Sequence, residues 1–148
     1  MEGDNEIIVK AKTEEIPFIS EFIENLMRRS GFGSKEIMEM QLAVEEACTN
    51  IALYAYPSRM GDIRINAETD HGLVLLIEDD GLPFDPTKRD PPSIQSDARE
   101  RAIGGLGIYL IKAYVDEVHY EFRNGKNILR LIKRKGKTAG NCEEMTYK

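Results

Sequence analysis

The run from Ser34 to about Tyr56 does most to constrain the fold. Ser34 can cap a helix, apolar residues recur through the run at helical spacing, and Pro57 stops it. Inside this rod lies LAVEEACTN, residues 42–50, which sets Glu45, Glu46, Thr49 and Asn50 among apolar neighbours. At about 3.6 residues per turn, Glu46 lies beneath Asn50 and Glu45 beneath Thr49. The four make one polar patch on an otherwise apolar rod. Carboxylates are rarely buried without a partner, because taking a charge out of water is costly. The patch is therefore expected to face a groove, an ion or a ligand. On the helix alone, a solvated face with i,i+4 partners remains an open alternative.

The rest of the chain supplies a sheet. Residues 6–12 alternate and are rich in Ile and Val, which predicts a strand. Thr13 is expected to cap a first helix that tolerates Pro17 in its opening turn and ends at Gly31 and Gly33. Residues 62–68 alternate, whereas 73–77 are continuously apolar, as in a central strand, with His71-Gly72 as the turn between them. Residues 82–103 hold four of the six prolines and many charges without a sustained period, the composition of a lid or binding loop. A helix over 106–115 follows. Strands at 118–122 and 128–133 then form a hairpin across Asn124-Gly125. The order β-α-α-β-β-lid-α-β-β predicts an α+β fold with helices on one face of a sheet. A length of 148 residues suits one domain, with its core at about 6–134 and a polar, frayed tail over 135–148.

Composition excludes several classes of function. A net charge of −6 argues against direct nucleic-acid binding, and the apolar runs are far too short to span a membrane. The acidic N-terminus has no signal-peptide core, and Cys48 and Cys142 make no disulfide framework, so a reducing cytoplasm is expected. Cys48, mid-helix among apolar residues, is expected to be a core residue. His71 and His119 have no metal-ligand spacing, and nothing suggests a Ser-His-Asp or Cys-His nucleophile.

Three segments could carry chemistry. In the helix, Glu46 is a candidate general base, and Asn50 is a candidate Mg²⁺ ligand through its amide oxygen. In IEDDGLPFD, residues 77–85, an apolar strand ends in carboxylates and a glycine. Asp79 could accept a hydrogen bond from an exocyclic amine such as that of adenine, with Gly81 letting backbone approach a flat base. An acidic Asp-Gly turn is the alternative. In IGGLGIYLI, residues 103–111, glycines before a helix expose backbone N–H groups that suit phosphate, although neither a P-loop nor a dinucleotide fingerprint is present. A flexible hinge is the alternative there. Arg89, Arg99 and Arg101 could reach phosphates or only solubilise the loop.

Together, in this order, the three segments resemble the boxes of the GHKL ATPase superfamily, and most nearly its anti-sigma-factor serine kinases. EEACTN is similar to the first box, EDDGLPFDP to the second and IGGLGIYLI to the third, over about residues 6–134. The resemblance implies the GHKL, or Bergerat, ATP-binding fold, a two-layer sandwich of a mixed, mainly antiparallel sheet with helices on one face. It implies ATP and Mg²⁺ as cofactors, Glu46 as general base, Asn50 on the metal, Asp79 on the adenine amine and Gly81 beside it. Gly105, Leu106, Gly107 and Ile108 would lie along the phosphates. The implied reaction is phosphoryl transfer to a serine of a STAS-type anti-sigma antagonist, with a sigma factor as second partner and a homodimer compatible with it. The rival is a non-catalytic module that holds ATP and sequesters a sigma factor. Glu46 favours transfer to a hydroxyl, since asparagine is common there in histidine kinases. The chain departs from the family at Pro83, where a second glycine is common, and at Tyr54, where histidine is frequent. It departs also at Ile103, before which Arg101 stands further out than the usual arginine, and at Asn127, where many relatives have threonine.

Overall fold

A computed structural model describes residues 5–88 and 107–135. Strand β1 (Glu6–Lys10) is followed by a 3₁₀ turn (Thr13–Glu15), α1 (Ile16–Arg29) and α2 (Ser34–Asn50). The backbone of α2 continues as a π-helical turn (Ile51–Ala55) before β2 (Asp62–Glu68) and β3 (Leu73–Asp79). A second 3₁₀ turn (Pro86–Lys88) lies beyond β3, and α3 (Gly107–Tyr114), β4 (Glu117–Arg123) and β5 (Lys126–Lys133) complete the described chain.

The strands form one sheet in the order β1-β2-β3-β5-β4. The expected mainly antiparallel sheet is antiparallel at every pairing among the described residues. Strand β3 is central, and its residues alternate between buried and half-buried. Leu73, Leu75 and Ile77 point to the side where Ile23 and Met27 of α1, Met40 and Val44 of α2 and Ile111 of α3 complete a continuous core. Aliphatic burial of this kind stabilises by roughly 1.5–3 kcal/mol per side chain and binds the helical layer to the sheet. The β4–β5 hairpin turns at Asn124 (φ 55°) and Gly125 (φ 77°), both in the left-handed region that a two-residue turn matching strand twist requires.

Two expected caps are replaced. Thr13 makes no side-chain cap; it opens the 3₁₀ turn, and Glu15 is the residue before α1. Ser34 is already helical, and Gly33 occupies the cap position of α2. Gly33 has no side chain to offer, so Glu36 reaches back and its Oε1 accepts the Gly33 N–H at 3.0 Å, one half of a capping box. The long second helix extends as far as expected, but its last turn is π-helical, a widening that often accompanies functional sites.

Candidate nucleotide-binding site

The end of α2, the ends of β3 and β5, and the loop after β3 enclose a cavity of about 300 Å³. Ala47, Asn50, Ile51, Tyr54 and Ala55 line it at helical spacing, so the π-helical turn supplies part of the wall. Ile77, Leu129 and Ile111 form an apolar floor, and Leu82, Pro83, Phe84 and Pro86 form the opposite wall. Asp79, Asn127 and Tyr120 add polar groups to this apolar slot. Such a combination suits a flat heteroaromatic ligand, and the volume is at the lower end of the roughly 300–1,000 Å³ typical of small-molecule sites.

Asp79 is the last residue of β3 and pairs directly with Asn127 at the start of β5. Both are buried, each only 6 % exposed. The Asp79 Oδ1 accepts the Gly81 N–H at 2.8 Å and the Asn127 Nδ2–H at 2.8 Å. Burial pushes the Asp79 carboxyl above the usual aspartate range, while these two hydrogen bonds pull the other way. Both bonds land on Oδ1, and Asp79 lines the cavity.

Gly81 also meets a steric demand that the sequence did not show. A Cβ there would lie 2.4 Å from the Ala55 carbonyl oxygen and 2.5 Å from the Ala55 Cβ. The neighbouring Leu82 N–H donates to that same carbonyl at 2.9 Å. The glycine therefore lets the loop dock on the π-helical turn, whose last residue, Ala55, offers its carbonyl to Leu82. Gly81 does not line the cavity among the described residues. Tyr56 braces this junction from below: its hydroxyl donates to the Asp62 carbonyl at 2.7 Å and accepts the Asp80 N–H at 2.8 Å. Gly61 leaves room for its ring.

On α2, Asn50 lines the cavity, whereas Glu46, one turn earlier, lies outside its lining. Glu46 is half-buried, and its carboxyl is pushed up by burial and by the charge of Glu45. The expected single patch is split. Glu45 turns to α1, where it accepts the Ser20 hydroxyl, and Gln41 Nε2 donates to the Ser20 carbonyl at 3.0 Å. Cys48 is fully buried in the core as expected, its thiol pushed up to about 12 by burial and by the charges of Asp79 and Glu45.

Asn50 can contribute one hard oxygen. Among the described residues no cluster of three His, Cys, Asp or Glu could hold a metal ion. A magnesium ion here would need ligand oxygens beside Asn50, which fits a cation that arrives with phosphates. Gly107 and Ile108 open α3. Gly105, Leu106, Arg89, Arg99, Arg101, Cys142, most of the 82–103 lid and the tail beyond 135 lie outside the described residues.

The polar centre of the site includes Asn127, noted in the sequence only as a departure from the family, together with two tyrosines that the sequence did not single out for it. Asn127, Tyr120 and Tyr56 hold it together. Asn127 was detectable as a polar residue sharing parity with Leu129 and Leu131, at the same end of the sheet as Asp79; Tyr56 carried no such signal.

An antiparallel sheet under a helical layer, with a pocket between the second helix and the third strand, defines an α+β sandwich with a small-molecule site at the end of its central strand. The chain matches the histidine kinase-like ATPase domain over residues 9–133 and belongs to that family. It is similar to proteins called serine-protein kinase RsbW from Bacillus cereus (strain AH187), Bacillus anthracis (strain A0248) and Bacillus thuringiensis (strain Al Hakam). Each is 30 % identical over 129 residues, covering 84 % of this chain and 81 % of the relative. Among the described residues no helix is long and apolar enough to cross a membrane.

Proposed function

We infer that the protein is an ATP-dependent serine kinase that regulates a sigma factor by phosphorylating a small STAS-type antagonist. The observation that carries this reading is the joint placement of Asn50 and Asp79 on the walls of one cavity, with Glu46 one helical turn from Asn50. Adenine enters the apolar slot and gives its exocyclic amine to Asp79. Asn50 would hold Mg²⁺ through its amide oxygen, and the ion would supply neutralisation of phosphate charge. Gly105, Leu106, Gly107 and Ile108 are the residues that would offer backbone N–H groups to the phosphates. Glu46, outside the base cavity, would take the hydroxyl proton as the serine oxygen attacks the γ-phosphorus and the bond from that phosphorus to the β–γ bridging oxygen breaks, releasing ADP. Burial, and then the charge of Glu45, push the Glu46 carboxyl above the usual glutamate range, the direction that strengthens a base. The similar serine-protein kinases support transfer to a serine. The cytoplasm is the compartment that supplies ATP and such partners.

The test is transfer of label from γ-labelled ATP to antagonists encoded beside this gene. Labelled serine is the expected product. A protein that binds MgATP yet labels none of them is instead a sequestering module that holds ATP. For the metal, Asn50→Ala should abolish the Mg²⁺-dependent tightening of ATP binding, read by calorimetry with and without EDTA; intact dependence would remove Asn50 as the ligand.

A further inference from the structure

Asn127 has the most completely used side chain in the cavity. Its Nδ2 donates to Asp79 Oδ1 at 2.8 Å and to the Leu82 carbonyl at 2.9 Å, with the Gly81 carbonyl at 3.4 Å. Its Oδ1 accepts the Phe84 N–H at 3.1 Å and the Tyr120 hydroxyl. A primary amide offers two N–H donors and a carbonyl with two lone pairs. All four are taken by protein groups. The orientation is also determined, because a flipped amide would set NH₂ against the Phe84 N–H and oxygen against a carboxylate and a carbonyl.

We propose that Asn127 is a positioning residue for base selection, acting on the ligand only through Asp79 and the loop wall. It engages Asp79 Oδ1 and so leaves Oδ2 as the acceptor for the base. In the same stroke it ties residues 81–84 to β5, so that the wall formed by Leu82, Pro83 and Phe84 stands before a nucleotide arrives. The first part of the 82–103 segment is thereby a preformed wall of the base pocket. This proposal rests on the reading of the cavity as an adenine site.

The experiment compares ATP with the purine riboside triphosphate that lacks the 6-amine. Binding of each is measured by calorimetry to the wild type, to Asn127→Ala and to Tyr120→Phe, which removes one of the two donors holding the amide oxygen. Wild type should prefer ATP by roughly ten- to a hundredfold, the range for a hydrogen bond to a charged group. In Asn127→Ala that preference should shrink to within about threefold, mainly through loss of ATP affinity. Tyr120→Phe should shrink it less, in the same direction, and it keeps the test decisive should Asn127→Ala fold poorly. Amide exchange of residues 81–86 in the nucleotide-free protein should quicken in Asn127→Ala. Equal losses for both nucleotides, with the preference intact, would reduce Asn127 to a structural residue and overturn the proposal; so would unchanged affinities in both variants. Wild type that binds both nucleotides equally would remove the Asp79–amine contact and the proposal with it. Wild type that binds neither would remove the nucleotide reading itself.

Discussion

The two ends of the site are built on opposite principles. At the Asp79 end, buried polar groups are tied to one another: Asp79 to Gly81 and Asn127, Asn127 to the loop and Tyr120, and Tyr56 to the strands beneath. At the α2 end, Glu46 and Asn50 are only half-buried, unlike Asp79 and Asn127. A base pocket must be rigid because it discriminates by geometry, and unsatisfied polar groups in a buried place are expensive. A reaction centre must keep groups available for a substrate and a metal that come and go. Under the proposed function, the difference would concentrate recognition on the sheet side and chemistry on the helix side.

That division predicts separable mutational effects. The largest should come from Glu46→Gln, which lowers phosphoryl transfer by about 10²–10⁴-fold. ATP affinity should stay near wild type, since Glu46 lies outside the cavity lining. Single-turnover transfer and calorimetry read the two quantities; a parallel loss of ATP binding would erase the division.

Asp79→Asn comes next, with ATP affinity falling by roughly ten- to a hundredfold as an NH₂ replaces an acceptor. The fold should survive and gain at neutral pH. The folded Asp79 carboxyl holds its proton more tightly than the ordinary group at 3.8. Wild-type stability therefore falls as pH rises from about 3.8 through the raised value, because the native state binds more protons there. The variant lacks that loss, so its Tm relative to wild type should climb over this window and then level off. A flat Tm difference would show that Asp79 carries no burial penalty.

Gly81→Ala tests the rigid end without touching a charge. The added Cβ meets the Ala55 backbone at 2.4 Å, so either the loop or the π-helical turn must move. Overpacking of this kind costs about 1–3 kcal/mol, measurable by urea denaturation. Wild-type stability in this variant would mean that the junction is loose.

The smallest effect belongs to Glu45→Gln. The new amide can still accept the Ser20 hydroxyl, so stability should change little. One of the two causes that raise the Glu46 pKa is removed, so the acid limb of the pH–rate profile should move to lower pH. An unmoved limb would mean that Glu45 and Glu46 are electrically independent.

Much of this was legible in the chain itself. Apolar periodicity determined the helices, strand alternation the sheet faces, and Asn124-Gly125 the hairpin, because each depends on residues close in sequence. The pocket's Asn50 and Asp79 were also readable, as polar residues set where an apolar helix and an apolar strand would otherwise continue. Other features belong to the tertiary structure alone. Gly33 rather than Ser34 caps α2 because Glu36 folds back onto it, and Glu45 leaves the polar patch because α1 brings Ser20 against it. Gly81 proves to be a glycine for Ala55, and Asn127 proves to be Asp79's partner, 48 positions away. Helical and strand periods are properties of a local segment. The partner of a buried polar group is settled only when distant strands fall into register, since only then does the low-dielectric interior decide which donors and acceptors must satisfy one another.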